Sequence, residues 1–140
     1  MSFLSSLDIS ASALTAQRMR MDVISENIAN ADTTRTADGG PYRRRVVVME
    51  QQQLSFSSIL QQASGGGVEV TKITEDMSDF NYVYDPEHPD ADANGYVAKP
   101  NVDTTNEIID MMSATRSYEA NVTAMNATKS IAMKALEIGR

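Results

Sequence analysis

Residues 101–138 read NVDTTNEIIDMMSATRSYEANVTAMNATKSIAMKALEI, a run without a glycine or a proline. Those two residues are the ones that helix interiors tolerate least, so the run predicts one long helix. Its start is signalled by Asp103-Thr104-Thr105-Asn106-Glu107, where Thr104 and Glu107 have capping-box spacing and Asp103 is a second possible N-cap. Beyond that start, Ile108, Met111, Thr115, Tyr118, Val122, Met125, Lys129, Ala132 and Leu136 follow alternating steps of three and four. Only Thr115 and Lys129 among them are not apolar, and this period suits coiled-coil packing.

Residues 1–38 also lack glycine and proline, and Leu7, Leu14, Met21 and Ile28 recur there every seven residues. Leu4, Ala11, Gln17 and Ile24 fill the intermediate positions. The pattern predicts a helix from about residue 5 to about residue 30, ending at Asn30-Ala31-Asp32-Thr33-Thr34, where short polar side chains compete for backbone hydrogen bonds. Between the two flanks, residues 39–100 hold six of the seven glycines and all four prolines. Tyr42–Glu50, Val68–Ile73 and Phe80–Tyr84 are rich in Val, Ile, Tyr and Phe and predict two or three short strands. Gly65-Gly66-Gly67 and Asp85-Pro86 punctuate them, and Gln51–Ser64 shows no period that assigns it to a helix or a strand.

The expected fold is mainly α with a small β part. Residues 1–38 and 101–140 supply long N- and C-terminal helices that pair as a coiled coil, and residues 39–100 form a short β-rich segment and loops between them. An intramolecular helix hairpin would give the same stripes without any partner. Two features favour partners: the flanks lie at opposite ends of the chain, and they carry Met19, Met21, Met111, Met112, Met125 and Met133 among small residues. Methionine adapts to irregular, repacking surfaces. Helices about 40–50 Å long also extend past what the central segment covers, so their remaining faces call for neighbours.

Charge excludes other classes. The net charge of −7 lies wholly in Glu75–Asp92, which holds seven carboxylates and no Lys or Arg. Nucleic-acid binding requires a basic face, and the one basic cluster is Arg43-Arg44-Arg45, read as a charged strand edge that resists aggregation. The absence of cysteine removes disulfides, thiolate zinc sites and thiol nucleophiles. No stretch reaches the roughly 20 apolar residues of a membrane span, and the N-terminus lacks the parts of a secretory signal. Asp90-Ala91-Asp92-Ala93-Asn94-Gly95 matches the first half of an EF-hand loop, but the twelfth position is Asn101 where calcium needs a bidentate Glu. His88 stands among Asp85, Glu87 and Asp90 on a proline-broken loop, a poor pre-organised metal site. Gly65-Gly66-Gly67 lacks the Gly-Lys-Ser/Thr of a phosphate cradle, and no nucleophile, base or metal constellation is present. No catalytic residue and no cofactor is expected.

Ile24-Ser25-Glu26-Asn27-Ile28-Ala29-Asn30-Ala31-Asp32-Thr33 resembles the N-terminal signature of the bacterial flagellar rod and hook protein family. Residues 13–23, Gly39–Arg44 and Tyr84–Val97 followed by Pro100–Asp103 are similar to the proximal-rod member, and Met111–Val122 resembles the family's terminal helix. Asn27, Asn30, Asp90, Asn94 and Gly95 fall in these stretches. The resemblance implies terminal helices that pair coaxially and stack with other copies and other rod proteins into a helical tube that transmits torque. It also implies export by the flagellar type III apparatus without a cleaved signal peptide, to the basal body in the periplasmic space. The expected assembly interface is then the stripe: Leu7, Leu14, Met21, Ile24 and Ile28 in the first flank, with Ile108, Met111, Tyr118, Val122, Met125 and Leu136 in the second. The alternatives are a cytoplasmic helix-hairpin adaptor and a calcium-binding module.

Overall fold

The computed structural model describes residues 3–37, 39–53 and 66–138. In chain order the elements are α1 (Phe3–Ala29), β1 (Arg45–Gln51), β2 (Val68–Glu75), β3 (Asn81–Tyr84), β4 (Tyr96–Lys99) and α2 (Thr104–Ile138). The fold is mainly helical with a small β part, as the two uninterrupted flanks imply. Most of the unassigned stretch Gln51–Ser64, residues 54–64, lies outside the described residues.

The two helices pack side by side along most of α1. Asn27 meets Glu107, Arg20 meets Asp110, and the Thr115 hydroxyl lies 3.6 Å from the Met21 sulfur. Numbers fall along α1 as they rise along α2, so the pair is antiparallel. Ala16, Val23 and Ile24 of α1 and Ala114 of α2 are buried, and the small side chains at residues 16 and 114 let the backbones approach closely. The seam is therefore rotated slightly from the heptad stripe read in the sequence. Leu7, Leu14, Met21 and Ile28 flank it half-buried while Ala16 and Val23 occupy its centre.

The start of α2 also differs in detail. Asp103, not Thr104, is the N-cap: its Oδ1 accepts from the backbone N–H of Thr105 at 2.9 Å and of Asn106 at 3.4 Å. Its other oxygen accepts from the Asn106 side chain at 2.9 Å. Glu107 is thereby released from capping and turns inward.

β1 and β2 form an antiparallel ribbon whose register shifts between Val48 and Met49. β3 and β4 form a second ribbon, with Tyr84 opposite Tyr96 and Tyr82 opposite Ala98. β4 is the strand that sequence reading missed: it is four residues long and follows directly on a run of turn residues. Two-stranded ribbons are marginal alone and depend on docking. The first ribbon docks through Ser12 of α1, whose Oγ donates to the Ile9 carbonyl at 2.8 Å and accepts from Val68 N–H at 3.0 Å. A Cβ on Gly67 would collide with that hydroxyl, so the glycine here serves close approach. The second ribbon docks through Val97, which is fully buried, and Pro100. With Tyr42 and Val102, these place the compact part of the core where α1 ends and α2 begins.

Candidate assembly site at the helix junction

The junction is built around two buried polar side chains, Asn27 in the last turns of α1 and Glu107 in the first turn of α2, which are 1% and 0% exposed. A buried polar group is costly unless its hydrogen-bonding capacity is filled, and here it is. Asn27 Nδ2 donates to Glu107 Oε2 at 3.0 Å and to the Arg45 carbonyl at 2.9 Å. Its Oδ1 accepts from the Tyr42 hydroxyl at 3.0 Å and from Arg45 N–H at 2.9 Å. Two donors and two acceptors exhaust what one side-chain amide makes.

Glu107 is neutralised from the other side. Arg44 Nε donates to its Oε1 at 2.7 Å, a charge-assisted bond between a partly exposed guanidinium and a buried carboxylate. The same guanidinium reaches Asp110 at 3.4 Å and Asp76 at 3.7 Å, and Arg20 of α1 reaches Asp110 at 3.1 Å. Arg44 N–H donates to Asn101 Oδ1 at 2.9 Å, and Asn101 Nδ2 donates to the Asp76 carbonyl at 2.9 Å and to Ser78 Oγ at 2.8 Å. One connected network thus joins both helices, the entry to β1, the β2–β3 connection and the residues just before α2. Burial pushes the Tyr42 phenol above its ordinary value, opposed by the nearby Arg45. Hydrogen bonds from Ser78 hold the Asp76 carboxyl below its ordinary range.

The three arginines read as a charged strand edge each have a partner within the chain. Arg43 lies over the Phe80 ring at 4.2 Å and donates to the Asp76 and Ser78 carbonyls. Arg44 is the network's cation, and Arg45 pairs with Glu26 at 3.6 Å. Such an arrangement ties the helical pair to the β ribbons and fixes the angle between them.

Residues 7–35 match the family model described as "Flagella basal body rod protein", and residues 93–138 match "Flagellar basal body rod FlgEFG protein C-terminal". Similarity to flagellar basal-body rod proteins FlgC runs over nearly the whole chain. The Bacillus subtilis protein is 60% identical, covering 96% of this chain and 97% of its own length. The Borreliella burgdorferi protein is 45% identical (99% and 98% covered), and that of Escherichia coli O157:H7 is 43% identical, covering all of both. The chain belongs to the FlgC family of flagellar basal-body rod proteins.

The two FlgC-family segments that the models match are the two that carry Asn27 and Glu107. Other motif residues are accounted for by local geometry. Asn30 closes α1, its Nδ2 donating to the Glu26 carbonyl at 2.9 Å and its Oδ1 accepting from the Thr33 hydroxyl at 3.1 Å. Asp90 is held by Arg35 at 2.7 Å and by the Thr34 hydroxyl at 2.8 Å. Asn94 and Tyr96 donate their backbone N–H groups to Asp92 Oδ1 at 2.8 and 2.9 Å, which keeps that carboxyl below its ordinary range. Gly95 adopts φ +81°, and an added Cβ would lie 3.0 Å from Tyr84. The EF-hand-like carboxylates are thus spent on this turn, and His88 Nδ1 accepts from Asp90 N–H at 3.1 Å. Among the described residues no three His, Asp or Glu side chains converge as metal ligands.

Of the stripe residues, Ile24 is buried, and Met111, Tyr118, Val122 and Met125 are half-buried along the helical pair. Ile108 and Leu136 face outward, 52% and 76% exposed. Sequence reading placed Asn27 in a motif but missed its partnership with Glu107 and Arg44. The signal was present as the spacing Ala16–Val23 and Glu107–Ala114, seven residues each, with Asn27 one turn beyond Val23 on the same face.

Proposed function

We propose that this chain is a non-enzymatic structural subunit of the proximal rod of the bacterial flagellar basal body, packing with other copies and other rod proteins into the shaft that transmits torque. The observation that carries the reading is the near-complete similarity to FlgC proteins together with α2. That helix is about 52 Å long and leaves Ile108, Ile109, Met112, Ile131, Met133 and Leu136 exposed. Apolar side chains spread along such a length call for neighbouring subunits. In this reading residues 1–38 and 101–140 form the coiled-coil core, and residues 39–100 form the outer β part whose orientation the polar network sets. The stripe residues carry the packing. Cofactors have no role, and the chain reaches the periplasmic rod through the flagellar type III export apparatus with its N-terminus uncleaved.

Mass spectrometry of detergent-purified basal bodies tests this directly. Recovery of the chain with its N-terminal peptide intact is the expected result. Recovery from the cytosol alone would replace the rod reading with a helix-hairpin adaptor. No helix among the described residues is long and apolar enough to cross a membrane.

A further inference from the structure

The β3–β4 ribbon has one face packed inward through Val97 and one face bare. The bare face carries Tyr82, Tyr84 and Tyr96, which are 66%, 64% and 45% exposed, with Tyr84 and Tyr96 in edge-to-face contact at 5.3 Å. Asp85 and Glu87 border it, are exposed, and make no ion pair among the described residues, whereas Asp90 and Asp76 nearby are neutralised by arginines. A face of aromatic rings edged by unpaired carboxylates is complementary to an apolar surface carrying cations.

The distal end of α2 is such a surface. With Asn27 opposite Glu107 in an antiparallel pair, Phe3 falls opposite about residue 131, so the last turns of α2 run beyond α1. There Met133 and Leu136 are 54% and 76% exposed, and they share a helix face with exposed Lys129. Lys134 is exposed one step round with exposed Glu137 beside it, so this end carries two lysines and one carboxylate, and neither lysine has an ion-pair partner among the described residues.

The two surfaces cannot meet within one chain. The ribbon's base is tied to the end of α1 by the Lys99–Asp32 pair at 3.2 Å, and Met133 lies about 44 Å further along α2 than Thr104. We propose that the tyrosine face of one copy receives the Lys129–Leu136 end of α2 from a second copy. Met133 and Leu136 pack on the rings, and Lys129 and Lys134 face Asp85 and Glu87. The contact joins unlike surfaces, so it propagates in an open series rather than closing a twofold dimer. It rests on the rod reading and names one contact within it.

The natural chain has no cysteine, so introduced thiols report unambiguously. In basal bodies from cells expressing the Ala98→Cys/Met133→Cys chain, a short bismaleimide is expected to give a ladder of dimers, trimers and longer species. Each single variant should stay monomeric. Dimers from Ala98→Cys alone would replace the proposal with a symmetric ribbon-to-ribbon contact. A double variant that is present in basal bodies but stays monomeric would overturn the contact and leave the rod reading standing; absence of the chain from basal bodies would overturn both. Independently, Lys129→Glu/Lys134→Glu is expected to abolish swimming and the added pair Asp85→Lys/Glu87→Lys to restore it. Failure of that rescue, with both chains at normal abundance, counts against the pairing.

Discussion

Where α1 ends and α2 begins, the helices are joined by a buried carboxylate and amide and a partly exposed guanidinium, with each hydrogen-bonding position of Asn27 filled. Further along, the same two helices meet through half-buried Leu14, Met21, Tyr118 and Val122, and α2 then runs on with Leu136 largely in solvent. The junction is complete within one chain, while the far end leaves apolar side chains uncovered. A buried polar network is demanding about geometry and specifies one arrangement, whereas a loose apolar seam accepts whichever neighbour covers it.

That contrast breaks most sharply at Asn27. Asn27→Asp replaces the amide's two donors with an acceptor facing Glu107, leaving like charges buried together. It is expected to destabilise the isolated chain by about 3–5 kcal/mol. Urea denaturation followed by circular dichroism measures this, and a midpoint like that of the natural chain would show that the junction is not the organising contact. Glu107→Gln keeps the shape and removes the charge opposite Arg44, with an expected loss of about 1.5–3 kcal/mol by the same assay.

Tyr42→Phe is milder, about 1 kcal/mol, since Asn27 Oδ1 still accepts from Arg45 N–H. It also has a pH signature. The Tyr42 phenol titrates above its ordinary value of 10.0 because burial disfavours the phenolate. The folded chain therefore holds this proton more tightly than the unfolded one. The associated stability is intact below pH 10 and declines as pH rises through 10 toward the folded value. Alkaline denaturation of Tyr42→Phe should be correspondingly flatter, and an unchanged alkaline limb would remove Tyr42 from the account.

Val122→Asp, in the loose seam, is expected to shift the isolated chain by about 1 kcal/mol or less while abolishing swimming at normal expression. The comparison would fail if this variant unfolded the isolated chain as severely as Asn27→Asp, or if it swam freely. The smallest effect belongs to Asp92→Asn. Hydrogen bonds from Tyr96 and Asn94 lower the Asp92 carboxyl, so its contribution is present above the unfolded value and lost as pH falls through the folded one. The variant should lose only this acid-side dependence, read as a shallower acid limb in the same denaturation series.

Legibility in the sequence followed the same division. Periodicity and the absence of glycine and proline disclosed both helices, since those signals are local. Val46-Val47-Val48 likewise disclosed β1. Tyr96–Lys99 escaped because it is wedged between the turn residues up to Gly95 and Pro100, whereas the equally short β3 is marked by Phe80, Tyr82, Val83 and Tyr84. The partnership of Asn27 and Glu107 escaped because it spans 80 positions, and the seven-residue spacings that place each on a helix face do not say which polar residue of the other helix it meets. Asp103 and Glu107 both suit the start of a helix, and only the fold decides which one caps and which one turns inward. The true seam was obscured for a related reason: Arg20, Asn27, Glu107 and Asp110 sit where a hydrophobic pattern would have announced it.

The antiparallel pairing of α1 and α2 brings the far ends of both helices to one pole of the molecule and makes the chain leave and re-enter the pair at the other. The intervening segment is therefore a single insertion port on a helical hairpin. Lengthening a flexible loop costs only about 0.6 kcal/mol for each doubling, so such a port admits segments of very different size. An insertion next to Gln53, in the connection between β1 and β2, would leave Asn27, Arg44 and Glu107 in register. The junction that fixes the outer part's angle is thus also what frees that part to change its size.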